Sequence, residues 1–418
     1  VIAFYSGYSN AYQLQRKAIL FLTDMMTDLL RPTISEFQQR FRGPPTLFSQ
    51  APGRINILGE HTDYTGGLSL PAAIDCWTVG AWRRRDDHEI KIFSHNLDDY
   101  WDTTWTSMEN GIDSTWKKYV AGCFLLFREK YLGGGVPSGV ELVLHGNIPL
   151  GKGVSSSASV ELAVLNGLAA LFKKDVSAMD LALLAQQVEH RFLNVKSGLL
   201  DQFACQFSQK HSAILVDFAK LETRLVPLAP AFRDAVWILV DSLVTRELTN
   251  SAYSERVAEY KSILSLARAV GRENLRELTT ADLPLLLAGQ NETLLRRARH
   301  IVSENERTVK ALECLQGGDV AGLGRLLWET HSSLSKDYEV SHRNLDFLVD
   351  TAKTLPGVYG GRMMGGGFGG CCLFLVARSQ EIPFGEQLAE RYAAFSNLHT
   401  QPRSVDFVEG ASAWTHGN

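Results

Sequence analysis

The 418-residue chain contains no apolar run near the ~18 residues needed to span a bilayer. Its six cysteines include no C-x-x-C pair and no Cys–His group at zinc-site spacing. These absences argue against a membrane protein, a structural zinc site and a disulfide scaffold. Cys371 and Cys372 are adjacent in an apolar run, so buried free thiols in a reducing, cytoplasmic compartment are expected. Charge of one sign is also missing: 42 Lys and Arg against 46 Asp and Glu leave −4, which argues against nucleic acid as the main partner. There is no internal repeat and no low-complexity tract. With 45% hydrophobic and 21% charged residues, the composition is that of a globular chain. The chain starts at Val1 without a methionine, which reads as a trimmed start. Arg16-Lys17 and the apolar Ala18–Leu22 are too short for a signal peptide, and Asp24 interrupts them. An amphipathic helix is expected over 11–30.

Strand-like runs cover Phe48–Ile57, Ser69–Trp82, Glu89–Phe93, Val140–His145, Ser212–Asp217, Ala235–Val240 and Cys371–Ala377. Helical periodicity covers 114–131, 158–173, 177–193, 201–208, 250–269, 281–289, 291–317, 319–335 and 342–354. The alternation is irregular and lacks the rhythm of a doubly wound sheet, so an α+β fold of two domains is expected. Pro227 and Pro230 mark a boundary near 225–235. The expected division is an N-terminal extension with a helix (1–45), a strand-rich domain (46–230) and a helix-rich α+β domain (231–418).

Four constellations stand out, and they hold twelve of the chain's 35 glycines. In the first, the apolar strand at Ala51-Pro52-Gly53-Arg54-Ile55-Asn56-Ile57 runs into Leu58-Gly59-Glu60-His61-Thr62-Asp63-Tyr64. A solvated loop is the bland alternative. Against it, Arg54 and Asn56 alternate with Ile55 and Ile57, and charged residues are rarely buried unpaired. Two carboxylates, an imidazole and a guanidinium suit a polyhydroxylated ligand. The second is Gly151-Lys152-Gly153-Val154-Ser155-Ser156-Ser157-Ala158-Ser159, between a strand and a helix. Glycines let the backbone approach a ligand, and a helix N-terminus favours an anion. Gly146–Lys152 imitates a P-loop, but Gly153 follows where that motif needs Ser or Thr. Plain serine N-capping is the alternative. The third joins Glu189, on the edge of an apolar helical stripe, with Gly198-Leu199-Leu200-Asp201-Gln202, where Asp201 opens the next helix. A surface glutamate and a simple capping aspartate are the alternatives. The fourth is Gly360-Gly361-Arg362-Met363-Met364-Gly365-Gly366-Gly367-Phe368-Gly369-Gly370, leading directly into an apolar strand. This favours close backbone approach over a flexible linker.

Together these motifs resemble the GHMP small-molecule kinases and, within them, the galactokinases. Gly53-Arg54-x-Asn56-x-x-Gly59-Glu60-His61-x-Asp63-Tyr64 is similar to the signature specific to that branch. The glycine–serine loop, the Asp201 segment and Gly365–Gly370 are similar to the superfamily's other motifs. Lys152, Val154, Ser197, Leu199-Leu200 and Met364 depart from the usual pattern without removing a functional group, and Lys152 could alter nucleotide affinity.

The resemblance implies a GHMP kinase-like fold, with a mixed-sheet first domain and an active site in the cleft between the domains. It implies transfer of the ATP γ-phosphoryl group to the anomeric hydroxyl of α-D-galactose. Gly151, Gly153, Ser155, Ser156, Ser157, Ala158 and Ser159 would hold the nucleotide phosphates, with Trp116 and Tyr119 near the adenine. Ser157 and Glu189 would coordinate Mg²⁺. Asp201 would accept the hydroxyl proton beside Arg54. Arg54, Glu60, His61, Asp63, Gly198, Asp201 and Tyr253 would bind the sugar. A monomer is expected, with no nucleic-acid or membrane partner. The alternatives are a kinase of N-acetylgalactosamine, galacturonate or arabinose, and a non-catalytic sensor of galactose and ATP. Homoserine and mevalonate kinases lack the Gly59-Glu60-His61-x-Asp63 element.

Overall fold

The computed structural model describes residues 28–110, 112–133, 135–149, 151–244 and 249–415, without the side chains of 249–253. The helix expected over 11–30 therefore falls largely outside the described residues. Its last three positions belong to a helix over 28–41 (α1). Phe37 and Phe41 of this helix pack on Phe48, Phe93 and Val143.

The largest sheet has six strands in the order β13-β1-β3-β6-β4-β5. Its members are β1 (Leu47–Asn56), β3 (Pro71–Arg84), β4 (Glu89–Ser94), β5 (Asp99–Thr104), β6 (Val140–Gly146) and β13 (Ser412–Thr415). β4 and β6 pair in parallel and the other neighbours antiparallel, so the sheet is mixed. Helices α2 (Thr115–Phe127), α3 (Ser156–Leu171), α4 (Ala178–Phe192) and α5 (Leu200–Phe207) share one core with it, built around Trp82, Phe124, Leu162 and Val188. A second, antiparallel sheet runs β10 (Val358–Met363), β11 (Cys371–Ala377), β9 (Ala235–Asp241), β12 (Arg403–Val405). It packs with α6 (Thr249–Ala269), α8 (Glu292–Gly317), α9 (Val320–Lys336), α10 (Arg343–Ala352) and α11 (Glu381–Ser396). A small sheet joins β2 (Leu68–Ser69), β7 (Ser212–Asp217) and β8 (Glu222–Pro227).

The α+β expectation holds. A further core bridges the halves: Ile55 and Ile74 of the first sheet, with Ile57 just past the end of β1, meet Leu239, Leu373 and Leu375 of the second and Leu323 and Leu327 of α9. At about 1.5–3 kcal/mol for each fully buried aliphatic side chain, this layer fixes the floor of the cleft above it. The division at 230/231 remains our proposal for the two halves. The chain's last described strand crosses it, since β13 pairs with β1 at Phe48 and Trp414.

The sequence reading missed β2, β5, β8, β10, β12, β13 and α11. β10 contains Gly360, Gly361 and Arg362, a composition unlike a strand. α11 carries Pro383 in its first turn, where the missing N–H costs nothing. The helix expected over 281–289 shrinks to Leu283–Leu286 (α7). The last residues of the one expected over 114–131 wind more widely, in a π turn over Arg128–Leu132.

Candidate active site

The strand carrying Arg54 does not run straight. The β1–β3 register shifts between Pro52 and Gly53, and such an irregularity re-aims the side chains that follow. A Cβ at Gly53 would stand 2.7 Å from the Val154 carbonyl, so only glycine lets the serine loop lie this close to β1. Arg54 is buried and turns into a cavity of about 650 Å³ between the two halves. Its Nε donates to Asp201 Oδ1 at 2.9 Å, one terminal nitrogen lies 2.6 Å from the same oxygen, and the other donates to the Gly153 carbonyl at 2.6 Å. One guanidinium thus links the sugar-signature strand, the serine loop and the helix bearing Asp201.

The serine loop is built for backbone donation. Gly151, Gly153 and Ser155 all have positive φ, at 72°, 77° and 62°. Ser155 occupies the N-cap of α3 in a left-handed conformation and makes no side-chain cap bond. Its buried hydroxyl has no hydrogen-bond partner among the described residues. Plain N-capping therefore does not explain the loop. The first-turn N–H groups of α3 lack intrahelical acceptors, and Ser155, Ser156 and Ser157 line the cavity. Ala158 and Ser159, also expected to hold the phosphates, turn their side chains away from the cavity. Ala158 sits in the apolar core and can offer only its backbone N–H. Ser159 is buried and donates to the Ala51 carbonyl at 2.7 Å, anchoring α3 to β1. Its N–H is taken by the Ser155 carbonyl.

Four carboxyls and an imidazole of the sequence motifs reach the same cavity. Glu60 accepts from the Gly365 N–H at 2.6 Å, from Asn56 at 2.9 Å and from Arg362 at 3.2 Å. Burial would raise its carboxyl, but Arg362 and these donors bring it below the ordinary range. His61, at φ 63°, lies 3.1 Å from the Tyr64 hydroxyl through Nδ1, and burial lowers its imidazole to about 4. Asp63 presses on Gly198, where a Cβ would fall 1.8 Å from its Oδ2. Burial, with the Asp201 charge adding, pushes the Asp63 carboxyl up to about 7. Asp201 stands in the first turn of α5 with its carboxylate partly open to the cavity. Glu189 is buried on α4 beside Ser157 and accepts from the Ser197 hydroxyl. Burial raises its carboxyl, and Asp201 adds to the effect.

Trp116 and Tyr119 do not line this cavity. Trp116 donates to Asp99 at 2.8 Å, while the Tyr119 hydroxyl lies beside Ser157. The side chain of Tyr253 lies outside the described residues. Lys152, flagged as a departure, forms an ion pair with Asp241 at 2.7 Å and so ties the serine loop to β9.

Sequence reasoning missed the support behind the Glu60 turn. Arg362 is fully buried and donates to the carbonyls of Ile57 and Asn56 as well as to Glu60. Glu304 of α8 accepts from the N–H groups of Gly59 and Glu60 at 2.8 and 3.3 Å. Despite its burial, Arg307, His300 and Arg362 bring its carboxyl down to about 2. Asn305 accepts from the Leu68 N–H at 2.8 Å. For Arg362 a signal existed: a charge within a glycine–methionine strand needs a buried partner, the same logic that singled out Arg54.

Three family models match along the chain: "Galactokinase galactose-binding signature" at residues 35–84, "GHMP kinases N terminal domain" at 118–209 and "GHMP kinases C terminal" at 311–394. The galactokinase of Lactobacillus helveticus is 38% identical over 367 residues, 86% of this chain and 93% of that protein. The chain belongs to the galactokinase family. The galactokinase of Staphylococcus carnosus (strain TM300) is also 38% identical, over 90% of this chain and 97% of its own length. The crystal structure of Lactococcus lactis galactokinase complexed with galactose superposes with a TM-score of 0.85 at 34% identity, covering 92% of this chain and 99% of that one. Methanococcus jannaschii mevalonate kinase, at 17% identity and a TM-score of 0.64, shares the fold alone. No helix among the described residues of this galactokinase-family chain is long and apolar enough to cross a membrane.

Proposed function

We propose that this chain phosphorylates α-D-galactose at the anomeric C1 hydroxyl with ATP, giving α-D-galactose 1-phosphate and ADP. Arg54 carries this reading: its three contacts draw a carboxylate and the mouth of a backbone anion cradle to one guanidinium. Phosphoryl transfer depends on positioning and charge stabilisation more than on covalent chemistry by the protein. The sugar stands against Glu60, His61, Asp63 and the Gly198 backbone, and the phosphates stand in the 151–157 loop on the N-terminus of α3. Trp116 and Tyr119 are proposed near the adenine, Tyr253 near the sugar. Asp201 accepts the C1 hydroxyl proton as the oxygen attacks the γ-phosphorus and the bond to the ADP leaving oxygen breaks. In a loose transition state that proton is lost late, so a weak but well-placed base suffices. Arg54 offsets the charge that gathers on the transferred group.

Ser157 and Glu189 fit Mg²⁺. Both are oxygen donors, and Mg²⁺ takes one or two protein oxygens and fills the rest with water and phosphate. No cluster of three or more His, Cys, Asp or Glu suited to a metal occurs among the described residues, as a cation brought in with ATP would require none. Bound there, the ion would neutralise phosphate charge. We place the enzyme in the cytoplasm as a monomer. No disulfide joins the six cysteines among the described residues, in keeping with a reducing compartment.

Asp201→Asn tests the assignment of the base. Calorimetry should show galactose and ATP binding retained while turnover falls by about 10²–10⁴, the usual contribution of general base catalysis. Near-normal turnover would refute the role.

A further inference from the structure

One buried acid has no part in the mechanism above. Glu161 lies on α3 one turn after Ser157, so the two share a helix face. It is fully buried, and neither carboxyl oxygen has a hydrogen-bond partner among the described residues. Gln202, next in chain to Asp201, is also fully buried, and neither atom of its amide has one. Gln202 faces Glu161 without meeting hydrogen-bond geometry, and the carboxyls of Glu189 and Asp201 and the Tyr119 hydroxyl lie around it. Three helices thus converge here, with Ser157 and Glu161 from α3, Glu189 from α4 and Asp201 and Gln202 from α5.

A buried acid with no partner costs free energy that the fold has no need to spend. Leucine would fill a similar volume at lower cost, so the carboxyl calls for a role. We propose that Glu161 is a positioning residue for the cation site: with Gln202 it backs Ser157, Glu189 and Asp201 and sets the spacing of their oxygens. Buried directly behind them, the Glu161 and Gln202 side chains leave these oxygens little room to draw back. Outer groups of this kind typically change metal affinity 10–100-fold. The inference rests on Ser157 and Glu189 holding a divalent cation.

The test is the affinity for ADP, measured by calorimetry with and without Mn²⁺. The wild type should gain affinity with Mn²⁺, and Glu189→Gln should lose that gain. If the wild type gains nothing, or Glu189→Gln keeps the gain, the cation site itself is wrong. Given a Glu189-dependent gain, Glu161→Leu should reduce it at least 10-fold, with metal-free ADP affinity unchanged and melting temperature equal or higher. Glu161→Gln keeps size and polarity and should stay within about threefold of wild type. An undiminished gain in Glu161→Leu would overturn the proposal, as would an equal loss in Glu161→Gln. Glu161→Met repeats the apolar comparison. If neither apolar variant folds, Glu161 is a structural group and the proposal fails.

Discussion

Arg362→Met removes the buried group on which the Glu60 turn depends. Arg362 is fully buried and donates to four acceptors: the carbonyls of Asn56, Ile57 and Met363 and the Glu60 carboxylate. Methionine fills part of the volume and supplies no donor. Glu60 keeps Asn56 and the Gly365 N–H but loses its nearest positive charge. Removing one partner of a buried ion pair costs about 3–5 kcal/mol, a large share of a typical total of about 5–15 kcal/mol. At about 2–4 °C per kcal/mol for larger domains, the melting temperature should fall by roughly 6–20 °C. The sugar side should suffer with it. We expect the galactose KM to rise at least 10-fold while the ATP KM changes by less than threefold, because among the described residues the hydrogen bonds of Arg362 go to the Asn56–Glu60 segment and Met363, not to the serine loop. Adding Glu60→Gln removes the stranded charge and should recover part of the stability, a coupling of about 0.5–3 kcal/mol in a double-mutant cycle. Thermal melts and steady-state kinetics on the four proteins decide the matter. A melting temperature within 2 °C of wild type, or equal rises in the two KM values, would refute the reasoning.

Three further outcomes are expected. His61 and His300 are held by burial at about 4 and 3, below the value of about 6.5 in an unfolded chain. Between those values the unfolded chain binds protons that the fold does not. The stability they contribute is complete above pH 6.5 and is lost as pH falls, by up to about 1.4 kcal/mol per pH unit for each histidine. His300→Gln should flatten the fall in melting temperature between pH 6.5 and 4.5, and an unchanged slope would contradict this. Lys152→Ala breaks a half-exposed ion pair, so stability should fall by no more than about 1 kcal/mol and the ATP KM should rise two- to fivefold. A shift in galactose KM alone would contradict the loop-anchoring role. Ser159→Ala should lower the melting temperature by a few degrees, consistent with a lost buried hydrogen bond of about 1 kcal/mol, and leave the ATP KM unchanged.

Arg54 was legible because a charge alternating with isoleucines on a strand can only be buried against a partner. The partner itself, Asp201, lies 147 residues away, and local pattern placed it only as a helix opener. The direction of the Ser159 side chain was not legible, because a run of serines at a helix start gives no sign of where each points. The helix turns about 100° per residue, and by Ser159 the side chain faces β1 instead of the cavity. Glu161 was not legible as a site residue, although it interrupts the apolar run Val160–Leu165, a pattern that marks a buried acid. His300, Glu304, Asn305 and Arg307 were invisible for the opposite reason. On an amphipathic helix, polar residues read by default as a solvated face, and only the docking of α8 on the Gly59–Ser69 turn buries them. β13 could not be foreseen, since its pairing with β1 is set by the return of the chain over more than 360 residues.

The cleft is expected to transfer a phosphoryl group to C1 of galactose. Galactose labelled with ¹³C at C1, incubated with ATP, Mg²⁺ and the purified protein, and followed by ¹³C and ³¹P NMR, tests it most directly. We expect galactose-dependent ATP consumption, a phosphorus-coupled C1 signal of the α anomer, and slower turnover of N-acetylgalactosamine, galacturonate and arabinose. Tight galactose and ATP binding without turnover would contradict it, as would phosphorylation at another hydroxyl.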